Sequence, residues 1–513
     1  MRRVDIFDTT LRDGEQAIAE GEGSLSKVDK FTIASLLADA RFDVIEAGFP
    51  KSSGGDFEAV KYISQNIGTA EIAALCRATD KDDDIKRAYD AVKYSANPRV
   101  HTFIAVSPIH MERKLRMTPQ QVYESTIKAV KLVKRLLCEK GTVEFSGEDS
   151  FRAERDFLVK IYSAAIQSGA DVINVPDTVG YAQPEEVFAM FRYLMQKTKG
   201  AERVKWSFHG HNDLGNATAN SLAAIRAGAH QIEGCINGIG ERAGNTALEE
   251  IIANMKTRPD YYDEYTQINT RKIGYISRQV SRLTGMVVQP NKAVVGGNAF
   301  AHSAGIHQDG VIKHKATYEI MKPEDWGWTG ESMQITKHSG RKAYRKILED
   351  MGYKVSDEEV NAVYAVGNPL ADKVKKLTPL DLAVILEDEV RKVPEIIRLS
   401  YARATGGTIP RRTASVKIVK NGLSIRKVAS GDGPIDALYN AINSALGIEV
   451  ELGTYRIRTI GEGKEVQGEI TTTIRDNGNR FGGRGVSTDI IEASAKAYIR
   501  AVNKMLYQRE KGK

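Results

Sequence analysis

The first 285 residues repeat one pattern, a short apolar run followed by a longer stretch with apolar positions at helical spacing. Runs typical of strands occur at residues 5–8, 44–47, 71–74, 100–105, 142–146, 172–175, 204–209 and 231–236. Helical patterns between them include residues 27–40, 83–94, 119–134, 154–168, 184–197, 217–227 and 246–256. Strands that alternate with helices of this length form βαβ units and a parallel sheet. Eight such units in roughly 250 residues predict an α/β fold, a (β/α)8 TIM barrel spanning residues 1–285.

Polar residues follow most of these strands. The C-terminal ends of barrel strands meet at one face, and enzymes with this fold build their active sites there. The alternative fold, a doubly wound sheet, would concentrate such residues at one switch point. Because buried charges without partners are costly, a polar set this dense indicates a functional site. The set comprises Arg12, Asp13, Glu46, His101, Thr102, Glu144, Ser146, Glu148, Asp149, Asp177, Thr178, His209, His211, Glu241, Arg242 and Asn245.

Two histidines, His209 and His211, stand two residues apart at the end of the seventh strand. Side chains alternate along a strand, so both imidazoles point the same way, as in half of a metal site. Such a pair by itself is more often a solvated or core pair. Asp13 adds a carboxylate and Asn245 a neutral oxygen, a mixture that suits a divalent ion activating a carbonyl. Arg12 offers a bidentate fork for a substrate carboxylate, with a salt bridge to Asp13 or to the glutamate of the second strand as the alternative.

The composition narrows the possible functions. A chain of 513 residues exceeds the size of one core, so two or three domains are expected. The net charge of +7 is spread along the chain and does not indicate a nucleic-acid footprint. No apolar run approaches ~20 residues, and the N-terminus leads directly into a strand, so neither a membrane span nor a signal peptide is expected. Three cysteines without a CxxC pair favour a reducing compartment, the cytoplasm.

Two further regions follow the predicted barrel. Residues 286–400 form a mainly helical linker region, with helices expected near 340–352, 356–375 and 380–393. Residues 405–513 form an α+β domain in which strands, a Gly-rich loop and a helix occur twice, which indicates an internal two-fold repeat. Gly-rich loops before helix N-termini can cradle a small anionic or zwitterionic ligand, or can serve only as tight turns. The candidate regulatory residues in these loops are Gly431, Asp432, Gly433, Gly483 and Gly485.

Several motifs resemble those of one enzyme family. The segment FDTTLRDGEQ at residues 7–16 resembles the opening signature of the acetyl-CoA-condensing synthases, which include the 2-isopropylmalate, homocitrate and citramalate synthases. The motifs at residues 45–50, 209–215, 237–245 and 303–310 are similar to the isopropylmalate branch. Residues 429–438 and 485–498 resemble the leucine-sensing regulatory domain of that branch. The resemblance covers nearly the whole chain.

The resemblance implies an acyltransferase reaction. It is the metal-dependent Claisen condensation of acetyl-CoA with 2-oxoisovalerate to give 2-isopropylmalate and CoA, the first committed step of leucine biosynthesis, with leucine as feedback inhibitor. Citramalate or homocitrate synthesis from another 2-oxo acid is the alternative within the family. A metal-dependent aldolase or lyase that uses no CoA ester, and a non-catalytic amino-acid sensor, are the alternatives outside it.

The resemblance also implies roles for individual residues. The metal ligands would be Asp13, His209, His211 and Asn245, and the ion could be Mg²⁺, Mn²⁺ or Zn²⁺. The residues that bind the 2-oxo acid would be Arg12, His101, Ser146 and Thr178. The catalytic residues would be Arg12, Glu148, His307 and Tyr318. The last two would reach the site from the partner subunit of a homodimer, and the general base stays open between Glu148 and His307.

Two departures from the family pattern lie close to the predicted site. Residues 17–24 read AIAEGEGS, where the family usually has a short Ser-Pro-Gly-type turn. This loop flanks the site, so we expect it to affect substrate access or the preference for a particular 2-oxo acid. Gly147 stands where a cysteine or proline is more usual, which predicts a looser loop around Glu148.

Overall fold

The computed structural model describes residues 1–18, 25–79, 83–138, 140–301, 310–311, 313–328, 335–350, 353–374, 377, 379–390, 394–406, 412–460, 467–476 and 479–511. Two compact units are present, Met1–Phe300 with Ile320–Gly330, and Ala301–Glu319 with Glu331–Lys513. The first unit contains the predicted barrel and the second contains the C-terminal sheets. No helix within the described ranges is long and apolar enough to cross a membrane.

Eight parallel strands close into a barrel in the first unit, which confirms the predicted fold and excludes the doubly wound sheet. They are β1 (Asp5–Asp8), β2 (Val44–Gly48), β3 (Glu71–Arg77), β4 (Pro98–Ala105), β5 (Thr142–Glu148), β6 (Val172–Asp177), β7 (Lys205–Gly210) and β8 (Gln231–Gly234). Each strand pairs with the next along the chain, and β1 also pairs with β8, with Asp5 opposite Gln231. Consecutive strands are therefore neighbours, as a right-handed βαβ repeat requires.

Helices follow the strands around the outside of the barrel. They are α1 (Lys27–Asp39), α2 (Gly54–Asn66), α3 (Asp83–Val92), α4 (Pro119–Leu137), α5 (Arg155–Ser168), α6 (Pro184–Lys197), α7 (Ala217–Ala227), α8 (Leu248–Thr257) and α9 (Ile273–Thr284). Ser26 begins α1 with a capping box, in which its side chain accepts from the Asp29 backbone N–H and the Asp29 side chain accepts in return. The predicted helical patterns did not include α2, which starts with two glycines but is capped by the Ser53 side chain.

Several side chains inside the barrel are charged. Arg99 on β4 donates to the side chain of Gln231 on β8, and these strands are not neighbours, so the bond crosses the barrel interior. Glu46, Glu144 and Glu233 are likewise fully buried. A barrel interior is normally filled by bulky branched side chains. The charged interior here places titratable groups below the C-terminal ends of the strands.

The second unit contains the predicted two-fold repeat. Helices α10 (Arg341–Asp350), α11 (Asp357–Val374) and α12 (Pro379–Val384) come first. The first antiparallel sheet contains β9 (Ile397–Ala404), β10 (Arg412–Lys420) and β11 (Leu423–Gly431), and helix α13 (Pro434–Leu446) follows it. The second sheet contains β12 (Glu451–Ile460), β13 (Gln467–Asp476) and β14 (Asn479–Ser487), and helix α14 (Ile490–Lys511) follows it. Side chains from both halves share one apolar core.

The predicted Gly-rich loop around residues 480–485 is wrong, because this segment is strand β14. The glycines let the strand pack tightly against α14. A Cβ on Gly483 would lie 2.0 Å from the carbonyl oxygen of Ala497, and one on Gly485 would lie 2.0 Å from that of Ala493. The other predicted Gly-rich loop, which contains Gly431 and Gly433, does lead into a helix. Gly433 is the N-cap residue directly before α13.

Candidate active site

Asp13, His209 and His211, here called the metal cluster, meet at the C-terminal face of the barrel. A single helical turn, Thr10–Gly14, directly follows β1 and carries Asp13, while His209 lies on β7 and His211 just beyond it. Asp13 Oδ2 lies 3.4 Å from His209 Nε2 and 3.7 Å from His211 Nε2. The two Nε2 atoms are 3.2 Å apart. All three side chains are almost completely buried.

Asn245 completes the group. The backbone of His211 forms an isolated antiparallel bridge with that of Asn245, so the two residues lie side by side. The Asn245 amide nitrogen donates to the carbonyl oxygen of Ile239, and its Oδ1 has no hydrogen-bond partner among the described residues. Asp13 Oδ1 is buried without a partner in the same way. Buried polar atoms are normally satisfied, so these two oxygens point to a cation that they could bind.

The donor set fits a divalent ion. Two imidazoles, one carboxylate and one amide oxygen form the mixed nitrogen and oxygen set that Mn²⁺, Mg²⁺ and Zn²⁺ accept. Burial raises the pKa of Asp13, but Arg12 and His209 outweigh it and hold that pKa well below its usual range. Burial and the neighbouring His209 lower the pKa of His211 to about 3, so its imidazole is neutral and able to act as a ligand at pH 7.

Arg12 forms salt bridges to both Asp13 and Glu46, which is the alternative role expected for it from the sequence. Its Nε lies 2.6 Å from Glu46 Oε2 and its Nη1 lies 2.7 Å from Asp13 Oδ2. Glu46 also accepts from the Thr9 hydroxyl at 2.7 Å and lies 2.8 Å from His101 Nδ1. Burial raises the pKa of Glu46, but Arg12 and His101 outweigh it and lower that pKa to about 2. Glu46 is therefore an ionised hub that connects Arg12 to His101.

His101 and Ser146 lie together, as their expected position in one pocket requires. His101 Nε2 is 2.6 Å from Ser146 Oγ, which also accepts from the Asn174 side chain at 2.8 Å. Both side chains are buried. A continuous path of polar contacts therefore begins at Asp13 and ends at Ser146. It passes through Arg12, Glu46 and His101.

Glu148 belongs to a second group of polar residues, at the ends of β4 and β5. Its Oε1 accepts from Lys114 Nζ at 2.5 Å and lies 3.7 Å from His110 Nδ1. The neighbouring Asp149 accepts from Ser107 at 2.5 Å. His110 Nδ1 is buried between the two carboxylates and lies 3.7 Å from Asp149 Oδ2. No described contact joins this group to the metal cluster.

Thr178 and Gly147 support the Glu148 group. Thr178 Oγ1 accepts from the Asp149 backbone N–H at 2.9 Å, so this predicted substrate-binding residue holds the turn after β5. A Cβ on Gly147 would lie 2.8 Å from the hydroxyl of Tyr162, which fills the space beside it. Strand β5 continues through Gly147 to Glu148, so the expected loosening is not found.

Comparison with known proteins identifies the family. The family model described as HMGL-like matches residues 3–280, and the homocitrate synthase post-HMGL domain-like model matches residues 294–375. The LeuA allosteric (dimerisation) domain matches residues 376–506. The 2-isopropylmalate synthase of Pelotomaculum thermopropionicum is 48% identical over 99% of this chain and 100% of its own length. That of Pyrococcus furiosus is 48% identical over 98% of this chain and 99% of its own length.

The chain belongs to the 2-isopropylmalate synthase family. The resemblance inferred from residues 7–16 and from the later motifs is thereby confirmed. An allosteric domain at the C-terminus also agrees with the regulatory-type repeat expected there. Members of this family are metal-dependent enzymes that condense acetyl-CoA, and the metal cluster fits that chemistry.

Two of the residues implied by the resemblance to 2-isopropylmalate synthases stay predictions. Tyr318 is partly exposed and belongs to the second compact unit. His307 lies outside the described residues. The five residues expected to be regulatory also remain predictions. Two of them, Gly431 and Gly433, lie just before the first residue of α13.

The barrel core contains a second group of potential metal ligands. Its members are His101, Glu144 and Glu233. Glu144 Oε2 accepts from Arg99 at 3.0 Å, and both nitrogens of His101 are engaged as described above. Burial and the neighbouring Glu233 raise the pKa of Glu144 to about 8. Both oxygens of Glu144 and both ring nitrogens of His101 are therefore already engaged. The sequence signal for this group was a titratable residue inside each of three barrel strands, a histidine in β4 and a glutamate in β5 and in β8.

Proposed function

We propose that this chain catalyses the condensation of acetyl-CoA with 2-oxoisovalerate to give 2-isopropylmalate and CoA, the first committed step of leucine biosynthesis. The observation that carries the proposal is the convergence of Asp13, His209 and His211 beside Arg12 in a chain that matches 2-isopropylmalate synthases over their full length. We further propose that the reaction takes place in the cytoplasm, in keeping with cysteines that are free among the described residues.

Asp13, His209 and His211 hold the divalent ion, with Asn245 contributing directly or through a water. When bound, the ion supplies Lewis acidity that polarises the ketone of the 2-oxo acid. Arg12 binds the substrate carboxylate. Its Nε and Nη1 are held by two carboxylates, and no hydrogen bond between described residues uses Nη2, which can therefore face the substrate.

Glu148 is the proposed base that removes a proton from the acetyl methyl group. Lys114 and His110 hold its carboxylate in one position, so the base is oriented before the substrate arrives. The resulting carbanion attacks the ketone carbon, and water then hydrolyses the thioester to release CoA. His307 shares the proton transfer, and Tyr318 positions the substrate or donates a proton, both from the partner subunit of a homodimer.

The pocket for the 2-oxo acid is formed by His101, Ser146 and Thr178. Because His101 and Ser146 hydrogen-bond within the barrel, they give this pocket a rigid wall. We further propose that the sequence of residues 17–24, which departs from the family pattern, tunes the preference for 2-oxoisovalerate. In the C-terminal domain, leucine binds near Gly431, Asp432 and Gly433 and inhibits the reaction.

A thiol-release assay tests the proposal. The protein, Mn²⁺ and acetyl-CoA are mixed with a panel of 2-oxo acids that differ in side chain, and free CoA is measured with a thiol reagent. We expect the highest rate with 2-oxoisovalerate and a lower rate when leucine is added. Release of CoA with none of the 2-oxo acids would contradict the condensation, and a higher rate with another acid would replace the substrate.

Matched histidine variants connect the activity to the metal cluster. His209→Ala removes one proposed ligand and is expected to abolish thiol release. His230→Ala removes a histidine whose Nδ1 accepts from the Trp206 backbone N–H, away from the cluster, and is expected to retain it. Equal activity of the two variants would show that the cluster is not the site of the reaction.

A further inference from the structure

Glu233 lies directly behind the metal cluster. In the parallel register of β7 and β8, His209 is opposite Glu233, so the two side chains enter the barrel next to each other. His209 Nδ1 lies 3.4 Å from Glu233 Oε2, and both side chains are almost fully buried. Neither atom has a hydrogen-bond partner among the described residues. Two complementary buried atoms therefore face one another slightly beyond the ~3.2 Å limit of an ordinary N–H···O bond.

The other oxygen of Glu233 is fixed by the barrel interior. Ser207 donates its hydroxyl to Glu233 Oε1 at 2.9 Å, and Gln231 donates to Ser207 Oγ at 3.0 Å. Gln231 also donates to Glu144 at 2.9 Å and accepts from Arg99 at 2.7 Å. This chain of hydrogen bonds holds the carboxylate from below. The second oxygen, Oε2, is thereby held toward His209.

We propose that Glu233 is a positioning residue for the metal centre: it accepts the Nδ1–H of His209 and so holds the Nε2 lone pair toward the ion. The inference rests on the proposed metal site. An imidazole carries its proton on either nitrogen, and a proton on Nε2 would block binding through that atom. Histidine ligands commonly donate their other ring N–H to a carboxylate, which fixes the tautomer and the orientation of the ring. Such bonds are often long before the ligands assemble and then tighten.

The two histidines of the metal cluster differ in which of their ring nitrogens face a carboxylate. His211 Nδ1 is buried and has no hydrogen-bond partner among the described residues, and the carboxylate paired with His211, that of Asp13, faces its Nε2. His209 has carboxylates on both sides, Asp13 at Nε2 and Glu233 at Nδ1. His209 is therefore the ligand whose tautomer the fold determines, and Glu233 is the residue that determines it.

Metal affinity, measured separately from activity, tests this role. The apo protein is titrated with Mn²⁺, and the free ion is followed by its electron paramagnetic resonance signal. Glu233→Gln keeps the shape of the side chain but loses the charge that favours the Nδ1–H tautomer. We expect it to raise the Kd for Mn²⁺ by about 10- to 100-fold. Glu233→Asp keeps the charge and should recover part of that loss.

Asp84→Asn is the matched control, because Asp84 is an equally buried carboxylate that pairs with Arg77 and has no described contact with Glu233 or His209. We expect this variant to bind Mn²⁺ like the parent protein. A loss of affinity below about tenfold in Glu233→Gln, or an equal loss in Asp84→Asn, would overturn the inference. His209→Ala distinguishes the two levels of the argument. If it binds Mn²⁺ like the parent, the proposed metal site is wrong, whereas if it loses the ion while Glu233→Gln keeps it, only the role of Glu233 fails.

Discussion

A buried lysine joins the turn after β1 to the first two helices of the barrel. Lys30 on α1 has its ammonium 2.6 Å from Glu15 Oε2, and it also pairs with Asp56 on α2. Its side chain is 4% exposed, so the charge is withdrawn from water. Glu15 also accepts from the Leu25 backbone N–H at 3.1 Å.

Replacing Lys30 by Met keeps the apolar stem but leaves two carboxylates without their cation. Breaking a buried pair in this way costs about 3–5 kcal/mol, because the remaining charge stays desolvated. Lys93→Met is the control, since the Lys93–Asp90 pair is exposed and such pairs contribute about 0–1 kcal/mol. The free energy of unfolding should therefore fall several times more in Lys30→Met than in Lys93→Met.

Tryptophan fluorescence during urea unfolding measures the effect selectively, because Trp206, Trp326 and Trp328 all belong to the first compact unit. With a urea m-value of about 3 kcal/mol/M, the expected loss lowers the midpoint by roughly 1 to 2 M. A shift in Lys30→Met no larger than that in Lys93→Met would refute the assignment of a buried, energetically important pair.

The loss should also depend on pH. Burial raises the pKa of Glu15 in the folded protein, even though Lys30 opposes the shift, and removing Lys30 raises that pKa further. A carboxyl with a raised folded pKa destabilises the protein above that pKa, and the destabilisation disappears as pH falls toward the unfolded value. The difference between Lys30→Met and the parent should be largest near pH 7 and should shrink toward pH 4.5. A difference that stays constant across this range would show that lost packing, and not the uncompensated charge, is responsible.

Three further outcomes are expected. Glu46→Gln removes one of the two carboxylates that orient Arg12, so kcat/KM for the 2-oxo acid should fall by about 10-fold or more in steady-state assays; an unchanged value would contradict the hub. Gly483→Ala places a Cβ against the backbone of α14 and should destabilise the second unit by about 1–3 kcal/mol, measured by thermal melting, whereas Gly406→Ala, with open space around it, should not. One thiol per native chain, Cys138, should react rapidly with a thiol reagent, because the other two are buried; faster labelling of a second thiol would contradict their burial.

Where the sequence predicted the fold well, local signals and tertiary packing agree. Helix α6 begins at Pro184, a residue suited to the first helical position, and α7 is followed by Gly228 with φ of 119°, a left-handed end that favours glycine. Helix α2 was missed because its first two residues are glycines, and only the Ser53 cap signals its start. Strand β14 was predicted as a loop because its glycines resemble turn residues. They are required instead by the closeness of α14, which is a tertiary constraint that no local pattern reveals.

The candidate site was predictable where strand periodicity alone determines direction. His209 and His211 point the same way for that reason, and the barrel topology brings Asp13 to them. The grouping of His110 with Glu148 was not predictable. It depends on the irregular turn Met111–Leu115 and on the left-handed backbone of Arg116 that follows it, and local propensity does not determine such a path.

Two glutamates inside the barrel strands hold side chains of the proposed site in place. Glu46 lies on β2 and Glu233 on β8, and each holds a functional side chain, Arg12 or His209, from inside the barrel. Side chains on strands are positioned more accurately than those on loops, so the side chains proposed to bind the ion and the substrate carboxylate are held by residues of the barrel itself. Residues 19–24, where the chain departs from the family pattern, lie outside the described residues. Because the residues of the metal cluster lie outside this segment, we propose that changes at residues 17–24 alter the preference among 2-oxo acids and leave the cluster in place.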